Sequence, residues 1–173
     1  MKKYFTTRVL AQQALITAVY VLLTLSGWGV GYGPIQFRYS EVLNWLAFYN
    51  PQHIVGLTLG CFLANIASPL GIIDMFAGTL GTFLAAWCMS QVKSRWIAAL
   101  FPGLFSFIYA LEAYFVGSAP LAAVPVIYGQ IFLSEIIIVG IIGIPVMLGL
   151  ERIEPLRRNL LSPAESFPKR SRS

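Results

Sequence analysis

The chain has 173 residues, of which 57% are apolar and 11% are charged. A typical soluble domain is about 45–50% apolar and about 25% charged, and a domain of this size buries only about 70% of its unfolded surface. So much apolar surface excludes an ordinary soluble enzyme, a disordered chain and a disulfide-framed secreted domain. The composition therefore predicts a small integral membrane protein.

The basic residues are gathered near the two ends of the chain and in one short loop that holds Lys93 and Arg95. Arg38 is the one that stands apart from these groups. The formal net charge is +5, but the basic residues form no stripe, and the sequence shows no element that could read a nucleic-acid groove. We therefore expect no nucleic-acid partner. The distribution is typical of cytoplasmic loops, which carry an excess of Lys and Arg in membrane proteins.

Six apolar segments are separated by Gly, Pro or polar residues, and each is predicted to cross the membrane. A full crossing needs about 20 apolar residues, and the second segment is short for one. The predicted spans cover residues 9–27, 38–49, 52–67, 71–91, 96–115 and 126–150. When the N-terminus is placed in the cytoplasm, every Lys and Arg except Arg38 falls on the cytoplasmic side. The prediction is an all-α, six-helix membrane bundle that forms a single domain over residues 1–150. Both termini are expected in the cytoplasm, the first span is expected to stay uncleaved, and a polar, basic tail follows over 151–173.

Charged side chains inside membrane spans cost about 2.5–3.5 kcal/mol on insertion scales and commonly mark function. In the predicted topology they all fall in the outer half of the membrane, with polar and aromatic side chains at the same level. This pattern predicts an acidic, aromatic-lined cup that opens outward and that suits a neutral or cationic aromatic ligand, since carboxylates accept N–H donors and rings stack on flat molecules. The predicted ligand-binding residues are Trp28, Tyr32, Arg38, Glu41, Asn65, Asp74, Glu112, Tyr128, Gln130 and Glu135.

A structural role is the alternative for each of these charges. Arg38, Glu41, Asp74 and Glu112 have the positions of interfacial groups in water. Glu135 lies about ten residues into the last span, where an internal helix–helix hydrogen bond is the competing interpretation.

Small residues form a stripe on three of the predicted helices. In the third and fourth they indicate close packing inside the bundle. In the first, the stripe either packs internally or presents a docking surface to a partner. The residues of that first stripe are Ala11, Ala14 and Ala18.

The sequence holds no phosphate-binding loop of the G-x-x-x-x-G-K-[ST] type, so we expect the chain not to use ATP by itself. Cys61 and Cys88 lack metal-ligand neighbours at zinc spacing. His53, the single histidine, is predicted to be a core or interfacial residue. We therefore predict no metal, no cofactor in this chain and no catalytic residue. A binding protein without an energy module needs partners to accumulate its ligand.

Three stretches resemble the QueT family of queuosine-precursor transporters: 33–41 (GPIQFRYSE), 56–65 (GLTLGCFLAN) and 68–74 (SPLGIID), the last followed by Gly78. The resemblance covers about residues 8–150. It implies a substrate-binding (S) component of an energy-coupling factor (ECF) transporter in a bacterial plasma membrane, with six helices and cytoplasmic termini. It also implies an outward-facing site for a deazaguanine-type base. The implied partners are a membrane coupling subunit, which meets an Ala-x-x-x-Ala motif at Ala14 and Ala18, and two cytoplasmic ATPases.

Other functions stay open at this point. The chain could be an S component for another vitamin or purine-like heterocycle. It could be a membrane enzyme that uses Asp74 and Glu135 as an acid/base pair, although no motif supports one. It could also be a structural membrane subunit without a ligand.

Overall fold

The computed structural model of the protein describes residues 6–27, 38–68 and 71–162, and this part of the chain is helical and contains no strand. Trp28 and Tyr32, two of the predicted ligand-binding residues, lie outside the described residues.

The first half of the chain forms four main helices. The N-cap of the first is Thr6, whose hydroxyl accepts a hydrogen bond from the Val9 amide at 3.3 Å. Short 3₁₀ turns, Tyr39–Asn44 and Pro51–His53, lead directly into the second and third. The helices are α1 (Thr7–Ser26), α2 (Trp45–Tyr49), α3 (Ile54–Asn65) and α4 (Ile72–Gln91).

The second half is helical but repeatedly interrupted. Pro102 has no N–H to continue the hydrogen-bond ladder, and the helix that it belongs to is one of three short ones in a row. A wider π-helix, Ile136–Ile142, interrupts the last long segment. The helices are α5 (Arg95–Ala98), α6 (Leu100–Phe105), α7 (Phe107–Phe115), α8 (Val124–Glu135), α9 (Gly143–Glu151) and α10 (Glu154–Leu156), with a final π-helix over Arg157–Leu161.

Four helical segments among the described residues are long and apolar enough to cross a membrane: Thr7–Ser26, Ile72–Gln91, Arg95–Phe115 and Leu121–Glu151. They overlap the first, fourth, fifth and sixth predicted spans. The second predicted span is a 3₁₀ turn of six residues followed by a five-residue α2, which is shorter than the roughly 17 residues that a crossing needs. All of α2 is buried, so this segment packs inside the bundle. The count of six spans remains a prediction.

Small residues bring the long helices close together, as predicted for the third and fourth segments. A Cβ added to Gly60 of α3 would lie 2.7 Å from Cβ of Tyr20 on α1, and one added to Gly81 of α4 would lie 2.8 Å from the Tyr109 hydroxyl on α7. A side chain at either position would force its neighbour to shift, so glycine favours both close contacts. Gly71 is required for another reason, because its φ of +74° lies in the left-handed region immediately before α4.

The last described residues return to the start of the chain. The guanidinium of Arg8 and the side-chain amide of Gln12 both donate to Asn159, the latter to its backbone oxygen at 2.8 Å. Leu161, two residues further on, is buried in the core. The two ends of the described chain therefore lie at the same end of the bundle.

His53 links this terminal segment to the first helix. Its Nε2 lies 2.8 Å from the carbonyl oxygen of Leu160 and therefore carries the proton. Its Nδ1 accepts a hydrogen bond from the side-chain N–H of Gln13 at 3.1 Å. The other amide atom of Gln13 accepts the Gly56 N–H at 2.9 Å. His53 is 1% exposed, so of the core and interfacial roles expected for it the structure shows the core one. We call this group the terminal network; its members are Arg8, Gln12, Gln13, His53, Asn159 and Leu160.

Candidate functional site

Arg38 and Asp74 form a buried ion pair. Arg38 directly precedes the first 3₁₀ turn, and Asp74 lies in the first turn of α4, so the contact joins two distant parts of the chain. Nη2 of Arg38 is 3.2 Å from Oδ1 of Asp74, and both residues are at most 2% exposed. The guanidinium also lies over the ring of Tyr109, 4.8 Å from its centroid. Oδ2 of Asp74 has no hydrogen-bond partner among the described residues.

Asn65, the last residue of α3, lies against the same aspartate. Its Nδ2 donates to the backbone oxygen of Asp74 at 3.2 Å, whereas its Oδ1 has no partner in the described chain. One helical turn after Asp74, a Cβ at Gly78 would meet Nδ2 of Asn65 and would lie 3.3 Å from Nη1 of Arg38. Only glycine leaves room at position 78 for the three polar side chains to meet.

Glu41 is fully hydrogen-bonded inside the bundle. Its Oε1 accepts the Tyr20 hydroxyl at 2.7 Å and lies 3.1 Å from the Thr82 hydroxyl, and its Oε2 accepts the side-chain amide of Asn44. The carboxylate is 2% exposed. Glu41 is therefore held in place by α1, α4 and its own 3₁₀ turn.

Glu112 and Glu135 are also buried, but each has one oxygen without a hydrogen-bond partner among the described residues. They are 4% and 2% exposed, and Oε1 of Glu112 and Oε2 of Glu135 have no hydrogen-bond partner in the part of the chain that the structure describes. Glu112 on α7 lies within electrostatic reach of Asp74 and Arg38, and Glu135 lies within reach of Glu41 and Arg38. Glu135 is the last residue of α8, immediately before the π-helix. Such widened turns often occur at functional sites.

Six of the predicted ligand-binding residues therefore meet in one buried region, which we call the acidic cluster: Arg38, Glu41, Asn65, Asp74, Glu112 and Glu135. Four carboxyl groups and one guanidinium are buried there, and the guanidinium contacts Asp74. Tyr128 and Gln130 are not buried with them, since Tyr128 is half-buried against Phe132 and Gln130 is exposed.

Three further residues of this region were not predicted: Tyr20, Thr82 and Tyr109. Each is buried with its hydroxyl in a hydrogen bond. The spacing of Asp74, Gly78 and Thr82 at i, i+4 and i+8 places them on one face of α4 and was a usable signal.

The alanine stripe of α1 is exposed on the outside of the bundle. Ala11, Ala14 and Ala18 are all exposed, so this chain does not cover them in its described part. Ala14 and Ala18 line a groove of about 670 Å³ between α1 and α3, whose opposite wall includes Val55, Leu59 and Leu63. Of the two interpretations left open above, this exposure favours an outward-facing surface over internal packing.

The chain matches the family described as QueT transporter over residues 10–152. It belongs to the QueT transporter family. The queuosine precursor transporter QueT of Lactococcus lactis subsp. cremoris (strain MG1363) is 35% identical over 124 residues, and the match covers 62% of this chain and 73% of the relative. No solved structure matches the chain.

Family membership and four apolar helices make this chain a multi-pass membrane transport protein. The resemblance noted in the sequence and the predicted membrane location in a bacterium are confirmed. A transporter family also indicates a transport protein rather than an enzyme.

Proposed function

We propose that this QueT family member is the substrate-binding component of an ECF importer, and that it captures a queuosine precursor from outside the cell. The precursor is a deazaguanine-type base. The chain has no phosphate-binding loop, and the ATP for uptake is used by two cytoplasmic ATPases that act through a membrane coupling subunit.

The observation that carries the ligand proposal is the unpaired acceptor of Glu135. A buried carboxylate without a hydrogen-bond donor is costly, and a ligand that supplies donors removes that cost. The edge of a guanine-like base presents N1–H and the exocyclic amine side by side, which one carboxylate accepts in two parallel hydrogen bonds. The name of the Lactococcus relative supports the same class of ligand.

The exposed alanines of α1 support the partner proposal. Small residues let helices approach closely in a membrane, where apolar surface alone gives no preference for protein over lipid. In this proposal Ala14 and Ala18 contact the coupling subunit. The proposal also includes six membrane crossings and cytoplasmic termini. The contact between Arg8 and Asn159 supports an even number of crossings, because it holds both ends of the described chain together.

Binding and uptake test the two parts separately. Titration of the purified chain in lipid nanodiscs with a deazaguanine base should give saturable binding without partners or ATP. Uptake into proteoliposomes should require the partner subunits and ATP. Tight binding of thiamine or a pterin in place of the base would reassign the ligand, and accumulation by this chain alone would contradict the partner requirement.

The double variant Ala14→Trp, Ala18→Trp tests the docking surface. Two bulky indoles on the stripe prevent close helix approach, so uptake should stop while base affinity stays near that of the unmodified chain. Leu80→Trp is the matched control, because Leu80 is 50% exposed on α4, away from the stripe. Normal uptake by the double variant would show that the stripe faces only lipid.

A further inference from the structure

The inner face of the last long segment repeats every four residues. Through α8, the π-helix Ile136–Ile142 and α9, every fourth residue is turned into the bundle. The series ends at Glu151, which is half-buried and paired with Arg95. The buried members of the series before it are Ile131, Glu135, Val139, Gly143 and Met147.

A straight α-helix does not keep such a series on one face. Each step of four residues turns an α-helix by about 40° more than a full turn, so Glu151, 16 residues after Glu135, would point about 160° away from it. A π-helix closes its hydrogen bonds over five residues instead of four, and one residue of extra length removes about 100° of this drift. The π-helix therefore lets Glu135 and Glu151 share the inner side of the bundle.

Both ends of the segment depend on this alignment. At one end, Glu135 is buried in the acidic cluster. At the other end, Oε1 of Glu151 accepts Nη2 of Arg95 at 2.9 Å and also accepts the hydroxyl of Tyr49, the last residue of α2. A segment that was α-helical throughout would place one of these two carboxylates correctly and turn the other one away.

The indole of Trp45 contacts the middle of the π-helix. Its Nε1 donates to the carbonyl oxygen of Val139 at 2.8 Å, and the ring is fully buried. Gly143 directly follows the π-helix, and a Cβ there would lie 2.6 Å from the same nitrogen, so glycine lets the ring reach the helix backbone. Trp45 is the first residue of α2, next to Asn44, whose side-chain amide donates to Glu41. The indole therefore fixes the π-helix against the segment that carries Glu41.

We propose that Trp45 is a positioning residue for ligand binding, because its bond to the π-helix keeps Glu135 turned into the acidic cluster. The inference rests on the proposed function, in which Glu135 accepts the edge of the base. It adds a residue that controls affinity through the backbone of another helix. When the indole N–H is lost, the π-helix is no longer held at Val139, and the direction of Glu135 is no longer fixed.

Two variants disturb the contact from opposite sides. Trp45→Phe removes the N–H but keeps a buried ring, and Gly143→Ala places a methyl group against the indole. In each variant the affinity for 7-deazaguanine, titrated in lipid nanodiscs, should fall by about 10-fold, a coupling typical of residues in one network. Gly149→Ala is the matched control on α9 and should bind normally, because a Cβ there would meet nothing within 4 Å.

Unchanged affinity in either Trp45→Phe or Gly143→Ala would overturn the positioning role and leave the proposed function standing. Absence of saturable binding by the unmodified chain would overturn both.

A double-mutant cycle separates positioning from a general loss of folding. In a Glu135→Gln protein the carboxylate that Trp45 positions is already absent, so adding Trp45→Phe should not weaken binding of 7-deazaguanine further. A loss of stability alone would instead lower the affinity by the same factor with either residue at position 135. Equal losses in the two backgrounds would therefore overturn the inference.

Discussion

Two polar regions lie at different places in this apolar bundle, and they differ in how completely the hydrogen bonds of their buried groups are made. In the terminal network, both nitrogens of the His53 ring and both polar atoms of the Gln13 amide have a partner. In the acidic cluster, Asp74, Glu112 and Glu135 each keep an oxygen without one among the described residues. Buried polar groups in proteins are normally paired, and each exception needs an explanation. The paired region has a structural role, and the ligand that we propose would supply partners for the unpaired region.

The largest effect is expected at the one ion pair within the acidic cluster. Arg38→Met leaves the carboxylate of Asp74 buried without its cation, which should lower the free energy of unfolding by about 3–5 kcal/mol. Chemical unfolding of the purified protein in detergent measures this loss. Arg157→Met is the control, because its ion pair with Glu154 is exposed and is worth at most about 1 kcal/mol. Equal losses in the two variants would show that the buried pair contributes no more than a surface pair.

An unpaired acceptor should behave in the opposite way, with a loss of binding and little loss of stability. Glu135→Gln keeps the shape of the side chain but replaces one acceptor by a donor that faces the N–H of the base. The affinity for a deazaguanine base should fall by about 30- to 150-fold, which corresponds to about 2–3 kcal/mol. Isothermal titration measures it. Unchanged affinity in a folded Glu135→Gln protein would transfer recognition of the edge to Asp74 or Glu112.

The smallest effect is expected in the terminal network, and it should appear in stability alone. His53→Leu removes both bonds of the ring and leaves the Gln13 amide and the Leu160 carbonyl unpaired, so unfolding should become easier by about 1–3 kcal/mol. Titration should show the same base affinity as in the unmodified chain. Gln52→Leu is the control, since the described hydrogen bond of Gln52 is made by its backbone. Weaker binding in His53→Leu would contradict the division between a structural and a functional region.

Local sequence patterns were sufficient for much of this molecule. The apolar runs located the four long helices. The cost of charge in a membrane singled out five residues, and these lie with the polar Asn65 in the acidic cluster. Those patterns could not separate a lipid-facing helix from a core helix, because 45–49 is apolar on every side and its burial depends on the rest of the bundle. They also could not tell that Glu41 is paired and Glu135 is not, because the partners Tyr20 and Thr82 come from other helices.

The indole of Trp45 links the segment that carries Glu41 to the segment that follows Glu135. It is fully buried next to Asn44, and its Nε1 donates to the carbonyl oxygen of Val139 in the π-helix at 2.8 Å, four residues after Glu135. Gly143 leaves room for it, because a Cβ there would lie 2.6 Å from Nε1. Trp87 and Trp96, in contrast, are exposed on the outside of the bundle. A ligand that moves the segment of Glu41 relative to the segment of Glu135 should therefore change the fluorescence of Trp45, because the indole contacts both segments.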